Sequence, residues 1–371
     1  MHPSAKELLA QFDDEAPLAR ARTIPAAWYH DADLADLERR HVFGDSWLAV
    51  GRSDQVAEPG RYFTAEVAGD PLVVVRGEDG VLRGFHNVCR HRAARVACEA
   101  EGKASRFRCR YHGWTYDLTG RLRGTPEFDG VGEFRREDNG LPPVAVAQNG
   151  PLVWVHLGPT PTPLDEWLSP LARRGLDAMM APLHFVARKE YRLRCNWKVF
   201  VDNYLDGGYH VNTIHPALAG ILDYTKYRTE IDTHASVQVS PLDRGAADAV
   251  AAVRKGENAY YAWVFPNLML NLYEGVMDTN LVLPDGPDAC RVVFDFYFAD
   301  REGDAAKEFI ARSVAVADQI QQEDLGICEE VQRGLRSSSY DTGRFSVRRE
   351  AGGYHFHQLL ARKLRAGVGG S

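Results

Sequence analysis

The chain has 371 residues, 45% hydrophobic and 26% charged, ordinary globular values in a length that suggests two or three domains. A formal net charge of −7 gives no reason to expect nucleic-acid binding, and no apolar run approaches the roughly 18–20 residues of a membrane span. Six cysteines (Cys89, Cys98, Cys109, Cys195, Cys290 and Cys328) are too sparse for a disulfide scaffold, and the first residues resemble neither a signal peptide nor a transit peptide, so a cytoplasmic protein with free thiols is expected.

Residues 4–45 read as helical and polar, with Asp31 as N-cap of a helix over 32–42. From Trp47 onward, short apolar or alternating runs at 47–50, 62–67, 71–76 and 81–87 are separated by Glu58-Pro-Gly, Gly69-Asp-Pro and Glu78-Asp-Gly. That rhythm predicts a small antiparallel β domain, with more strands at 107–108, 114–117, 144–147 and 152–157. The Pro-rich stretch 158–163 reads as a linker. A strand over 185–195 then leads into a helix through Trp197, Phe200, Val201 and Tyr204. Alternating runs return at 235–239, 260–265, 268–273, 279–283 and 291–298, before helices at about 303–335 and 355–364. The expected organisation is a helical N-terminal segment (1–45), a β domain (46–157) and an α+β domain (158–371), with no internal repeat.

Two motifs in the β domain carry chemistry: Cys89-Arg-His91 and Cys109-Arg-Tyr-His112, each on a loop between short strands. They supply two thiolates and two imidazoles. A structural zinc site uses the same ligand types at different spacing. A Rieske [2Fe–2S] centre needs two thiolates on one iron and two imidazoles on the other, and one Cys and one His per loop gives that partition. Cys98 lies outside both pairs and is expected to be a buried small hydrophobe. Around the loops stand Arg90, Arg92, Arg95, Lys103, Arg106, Arg108 and Arg110 against only Glu99 and Glu101, either an attraction for an acidic electron donor or a set of solvated or interface arginines.

A second constellation follows in Asp206-Gly-Gly-Tyr-His210-Val-Asn-Thr-Ile-His215-Pro216. On a continuous helix Asp206 and His210 share a face, and Pro216 breaks the helix so that His215 can converge with His210. Two imidazoles need a carboxylate to complete the triad of a mononuclear non-haem iron site. In the helix over 303–335, Phe309, Ser313, Val316, Ile320, Ile327 and Val331 define an apolar stripe that also contains Asp324, an acid costly to bury unless paired or metal-bound. Glu323 lies slightly further round and is not excluded.

With these residues the chain resembles the α-subunits of Rieske-type non-haem iron oxygenases, and within them the choline-monooxygenase-like branch. The resemblance also runs through Met277-Asp-Thr-Asn-Leu-Val-Leu-Pro284, Cys328-Glu-Glu-Val-Gln-Arg-Gly-Leu335 and His355-Phe-His357. It implies an α+β architecture: an N-terminal antiparallel β Rieske domain, then a catalytic domain whose curved antiparallel sheet is wrapped by helices in a helix-grip-like manner. It implies that Cys89 and Cys109 hold one cluster iron and His91 and His112 the other, while His210, His215 and Asp324 hold the mononuclear Fe(II). Asp206 is then the acid linking a catalytic-iron His to a cluster His of the neighbouring subunit in a head-to-tail homotrimer. Many family members place that acid three residues before the first His, where this chain has Gly207. Asn203 is a candidate hydrogen-bonding support one turn earlier.

The implied activity is dioxygen-dependent oxidation of a small substrate with electrons from a ferredoxin or ferredoxin-type reductase, since no dinucleotide fingerprint follows a strand. Tyr261, Trp263 and Phe265 alternate onto one sheet face and, with Tyr273, form a candidate cage for a quaternary ammonium group; a packed aromatic core is the plainer reading. The substrate is expected to be choline or a related methylated ammonium compound. Hydroxylation or demethylation of an aromatic compound is the alternative, and a non-catalytic Fe–S carrier or zinc module the alternative from another class.

Overall fold

The computed structural model of the chain describes residues 4–215, 222–242 and 252–369, so Pro216 lies outside the described residues. The chain divides into a unit over Phe43–Trp167 and a unit formed by Met1–Val42 with Leu168–Ser371.

The first unit holds a seven-stranded sheet in the order β1 (Leu48–Arg52), β10 (Leu152–His156), β9 (Pro143–Asn149), β4 (Leu82–His86), β3 (Asp70–Arg76), β2 (Arg61–Val67) and β5 (Glu101–Lys103), antiparallel throughout. A second, three-stranded sheet pairs β6 (Arg106–Arg108), β7 (Thr115–Asp117) and β8 (Leu122–Gly124). The β2–β3 hairpin turns on Ala68 and Gly69, both at positive φ (55° and 87°), the geometry whose twist matches the flanking strands. The three-residue strands β5 and β8 are too short to leave a periodic signal, and sequence reading passes over them. Tyr62, Val73, Val75, Phe85, Phe107, Trp114 and Tyr116 fill the core between the sheets, and Cys89 and Cys109 belong to the same cluster.

The second unit is built on a seven-stranded antiparallel sheet in the order β11 (His184–Leu193), β17 (Cys290–Phe298), β16 (Val276–Pro284), β15 (Leu268–Tyr273), β14 (Asn258–Val264), β13 (Ala235–Pro241) and β12 (Arg228–Ile231). Strands β13 to β17 are buried at most positions rather than alternating, so both faces of the curved sheet are covered. The predicted α+β fold is the one observed. Helix α1 (Trp197–Tyr204) starts at Asn196, whose side chain accepts from Lys198 N at 3.0 Å. It is fixed by the fully buried Lys198 ammonium on Glu38 at 2.6 Å, and by Asp202, which accepts from Tyr29 at 2.6 Å and lies 2.9 Å from His357 Nε2. Next along the chain come α2 (Val211–Ile214), α3 (Gly303–Leu335) and α4 (Ala351–Gly369).

Two expectations change here. The helical N-terminal segment is made of separate pieces, Ala5–Ala10, a 3-10 turn over Ala26–Tyr29 and Ala32–Leu37, and the helix capped by Asp31 (Leu34 N donating at 2.8 Å) turns π-helical over Glu38–Phe43. On α3 the buried line is Ala306, Ser313, Ala317, Gln321, Cys328, Gln332 and Leu335. It is rotated about a fifth of a turn from the predicted stripe, leaving Ile327 and Val331 exposed. Small and amide side chains form that line, which hydrophobicity alone does not detect.

Candidate active site

The two loops of the β unit are built alike. In each, the residue four after the cysteine adopts positive φ (Ala93 59°, Gly113 74°) and donates its N–H to that cysteine's carbonyl at 3.0 Å. Each cysteine N–H in turn donates to the residue five later, Ala94 or Trp114, at 2.8 Å. Asn87, missed by sequence reading, clamps the base of the first loop: its Oδ1 accepts from Val96 N (3.0 Å) and Ala97 N (2.9 Å), and its Nδ2 donates to Ala97 O (2.7 Å). Cys89 and Cys109 are buried beside one another, and burial pushes the Cys109 thiol up. His91 Nδ1 and His112 Nδ1 face each other at 3.0 Å near the surface, with Trp114 stacked on His91 at 5.1 Å between centroids. A buried thiol pair beside an outward imidazole pair is the donor set that a Rieske cluster requires. Cys98 is half-buried rather than buried, because it lies at the loop edge with its Sγ 3.9 Å from Arg95 O.

In the second unit, α1 ends at Tyr204, so Asp206 and His210 do not share a helix as periodicity suggests. Gly207 and Gly208 interrupt it at φ 69° and 70°. A Cβ at 207 would lie 2.1 Å from Arg349 O, and one at 208 would lie 3.1 Å from the Tyr227 ring. Position 207 therefore has no room for an acid, which is why the carboxylate stands at 206. Asp206 then folds back over the turn, accepting from Tyr209 N (3.1 Å), His210 N (3.0 Å) and His210 Nδ1 (2.5 Å). His215 ends α2 at φ −120°, ψ 71°, outside the helical region. Its Nδ1 donates to Glu323 Oε2 at 2.6 Å.

A carboxylate only accepts, so both Nδ1 atoms carry the proton and both Nε2 lone pairs are free. They point to one place: Asp324 Oδ1 lies 3.8 Å from His210 Nε2 and 3.1 Å from His215 Nε2. One ligand atom from each of the three residues falls within 4.8 Å of the others. Asn203 Nδ2 donates to Asp324 Oδ1 at 2.8 Å. Burial, which alone would lower the His215 pKa, is outweighed by Asp324 and Glu323, and the ring is held protonatable above its ordinary value. In the ion-free chain a protonated His215 donates to Asp324 across 3.1 Å; a bound cation would replace that proton, and two imidazoles with one carboxylate suit ferrous iron with coordination positions left open. Glu323, weighed in sequence as a rival ligand, is instead the acid behind His215, matching Asp206 behind His210.

The three residues open onto a cavity lined by Phe200, Tyr204, Tyr227, Tyr261 and Phe294, and by Gln238, Arg254, Asn271, Asp278, Asn280 and Gln321. Burial raises the phenol pKa of Tyr204 and Tyr227 far above the usual range, so both remain donors. They spend their protons on Asn271 Oδ1 and Gln238 Oε1, each at 3.0 Å. Of the predicted cage only Tyr261 lines the cavity. Tyr273 lies behind it, donating to its hydroxyl at 3.0 Å, while Trp263 and Phe265 pack on each other and Trp263 on Phe356 of α4. Trp263 is core because α4 covers it, and Phe265 is buried against Trp263. The missed polar residues do leave a signal: Gln238, Asn271, Asp278 and Asn280 interrupt otherwise apolar, buried strands.

Residues 46–135 match the Rieske [2Fe-2S] domain, and residues 180–366 match the ring hydroxylating alpha subunit (catalytic domain). The chain is 42% identical to the chloroplastic choline monooxygenase of Arabidopsis thaliana, over 97% of this chain and 87% of that one. It is 31% identical to the carnitine monooxygenase oxygenase subunit of Escherichia coli K12, covering 93% and 94% of the two chains. A solved structure described as a quaternary ammonium Rieske monooxygenase, with insights into carnitine oxidation and inter-subunit electron transfer, superposes with TM-score 0.83 at 28% identity, covering 95% and 98%.

Proposed function

Because the chain belongs to the Rieske-type ring-hydroxylating oxygenase α-subunits, an iron-dependent enzyme family with a [2Fe–2S] cluster and a mononuclear iron, we propose that it oxidises choline or a related quaternary or methylated ammonium compound. The observation that carries this is the convergence of His210, His215 and Asp324 on a cavity walled by Tyr204, Tyr227 and Tyr261, whose faces suit an alkylammonium group. The named activities of the curated relatives support the same substrate class.

In this reading Cys89 and Cys109 hold one iron of the cluster, His91 and His112 the other, and His210, His215 and Asp324 the mononuclear iron. When bound, the cluster supplies electrons and the mononuclear iron supplies dioxygen activation. The chain's own residues set the conditions. Asp206 and Glu323 fix the imidazole tautomers, Asn203 steers Asp324, and the cavity walls orient the substrate and exclude water. Asp206 also serves as the electron bridge to a neighbouring subunit's cluster in a head-to-tail homotrimer. Electrons come from a ferredoxin or ferredoxin-type reductase, attracted by Arg90, Arg92, Arg95, Lys103, Arg106, Arg108 and Arg110, all exposed around the cluster loops. No helix among the described residues is long and apolar enough to cross a membrane. Cys98, Cys195, Cys290 and Cys328, which form no disulfide among the described residues, suit the reducing, cytoplasmic setting proposed for the chain.

The test is product formed per dioxygen consumed across choline, trimethylglycine, carnitine and simple aromatics, with a chemical or ferredoxin-type reductant. Ammonium compounds alone should give coupled product. Coupled hydroxylation of the aromatics with none of the ammonium compounds would overturn the substrate assignment.

A further inference from the structure

We infer that the ammonium substrate also carries a carboxylate, and that Arg254 receives it on the cavity wall. This rests on the substrate class proposed above and narrows it. The Arg254 side chain is 4% exposed, lines the cavity, and has two nitrogens, Nε and Nη1, with no hydrogen-bond partner among the described residues. Asp278 partners its charge but not these donors: the ion pair runs from Nη1 to Oδ1 at 3.6 Å, beyond hydrogen-bond range. The other Asp278 oxygen is taken by Asn271 Nδ2 at 2.6 Å. The guanidinium instead lies over the Tyr273 ring at 4.2 Å, a packing that holds its plane while leaving N–H groups unspent. Gln321, 2% exposed on α3 and lining the same cavity, has a second buried donor, Nε2, also without a partner.

Buried donors without acceptors are costly, and a guanidinium most of all, unless something in the working state accepts from them. The group best matched to a guanidinium is a carboxylate. Charge balance points the same way. Arg254 and Asp278 together are neutral, so a zwitterion adds no net charge to the cavity, whereas a bare cation brings positive charge beside Arg254. The tyrosine faces are left for the methylated ammonium end.

The experiment compares substrates differing only at the far end: trimethylglycine against choline, and 4-trimethylammoniobutyrate against its methyl ester. With the iron-loaded holoenzyme, kcat/KM should favour each carboxylate by roughly 10- to 100-fold, mostly through KM, the range expected for a charged hydrogen bond. Arg254→Gln should collapse that ratio towards one, and Arg254→Lys should restore part of it. A wild-type preference for the alcohol or ester, or a ratio unmoved by Arg254→Gln, would overturn the inference; the wild-type comparison stands even if the variants do not fold. If no member of either pair is oxidised, the ammonium reading itself has failed and this inference falls with it. If choline and the ester turn over well and their carboxylate partners do not, only the inference has failed.

Discussion

At the scale of single residues, the site separates groups that would touch metal from groups that hold those groups in place. Asp324 faces both Nε2 atoms, whereas Glu323 and Asp206 each take an Nδ1–H. Asp324→Asn should therefore empty the mononuclear site while leaving the cluster spectrum intact, as read by iron content and electron paramagnetic resonance. Glu323→Gln should keep the site but weaken iron affinity about 10- to 100-fold, the usual cost of losing a carboxylate behind a ligating imidazole. The reverse pattern would exchange their roles. Asp206→Ala should keep the cluster and weaken mononuclear iron by about the same 10- to 100-fold as Glu323→Gln, and on the proposed bridging role it should lose nearly all multiple turnover even with iron in excess. Unchanged steady-state turnover would take the bridge away from Asp206. The residues that converge were legible in sequence because each cluster loop carries one cysteine and one histidine, and because Asp324 is an acid beside an apolar helix stripe. The role of Glu323 was not, since one helix position cannot distinguish a ligand from its support until the side chains facing it are known.

At the scale of elements, the same comparison turns on backbone. The run from Asp206 to His210 was read as helix on periodicity, but the helix stops at Tyr204, Gly207 and Gly208 hold the chain in a turn, and the acid reaches His210 across it instead. Gly207→Ala is the sharpest test: its Cβ meets a backbone carbonyl at 2.1 Å and the residue sits at positive φ. We expect a loss of about 3 kcal/mol or more in denaturant unfolding, with iron binding lost alongside, from strain and displacement of the turn. On the aromatic strand face the plainer reading of a packed core holds for Trp263, which Phe356 of α4 covers, while Tyr261 lines the cavity, and alternation carries no record of which partner covers each position. On α4 itself, His355 has a buried Nε2 without a partner among the described residues, and burial pushes its pKa down to about 4. The unfolded chain takes up that proton near pH 6.5, so this contribution is present above pH 6.5 and is lost as pH falls towards 4. His355→Phe should flatten the stability profile in that window by ~2–3 kcal/mol, measured by urea unfolding at stepped pH.

At the scale of the whole molecule, the positions of most strands, the long helix and the α+β class were legible from turn chemistry, period and family resemblance, while the order of the strands within the sheets and the short strands β5, β8 and β12 were not. What neither period nor motif reveals is how far apart in sequence the iron-facing residues stand: His215 and Asp324 are 109 residues apart. Purified anaerobically, the protein should be brown, and a chelator that strips only the mononuclear iron should lower its thermal midpoint without bleaching the cluster. Iron present at a hundred times its dissociation constant would account for about 2.7 kcal/mol of that difference. An unchanged midpoint after complete stripping would show that the ion does not bind the folded chain in preference to the unfolded one.

The wide sequence gap bridged by that triad has a consequence for the protein's life in the cell. Six of the seven strands of the catalytic sheet lie between His215 and Asp324, so the ion acts as a clasp on most of that half of the chain. An iron-starved cell would then hold an unclasped chain, exposed to proteolysis before it could consume reductant to no purpose. Turnover of the polypeptide would follow metal supply, and a His210→Ala chain should be degraded equally fast whether iron is plentiful or scarce.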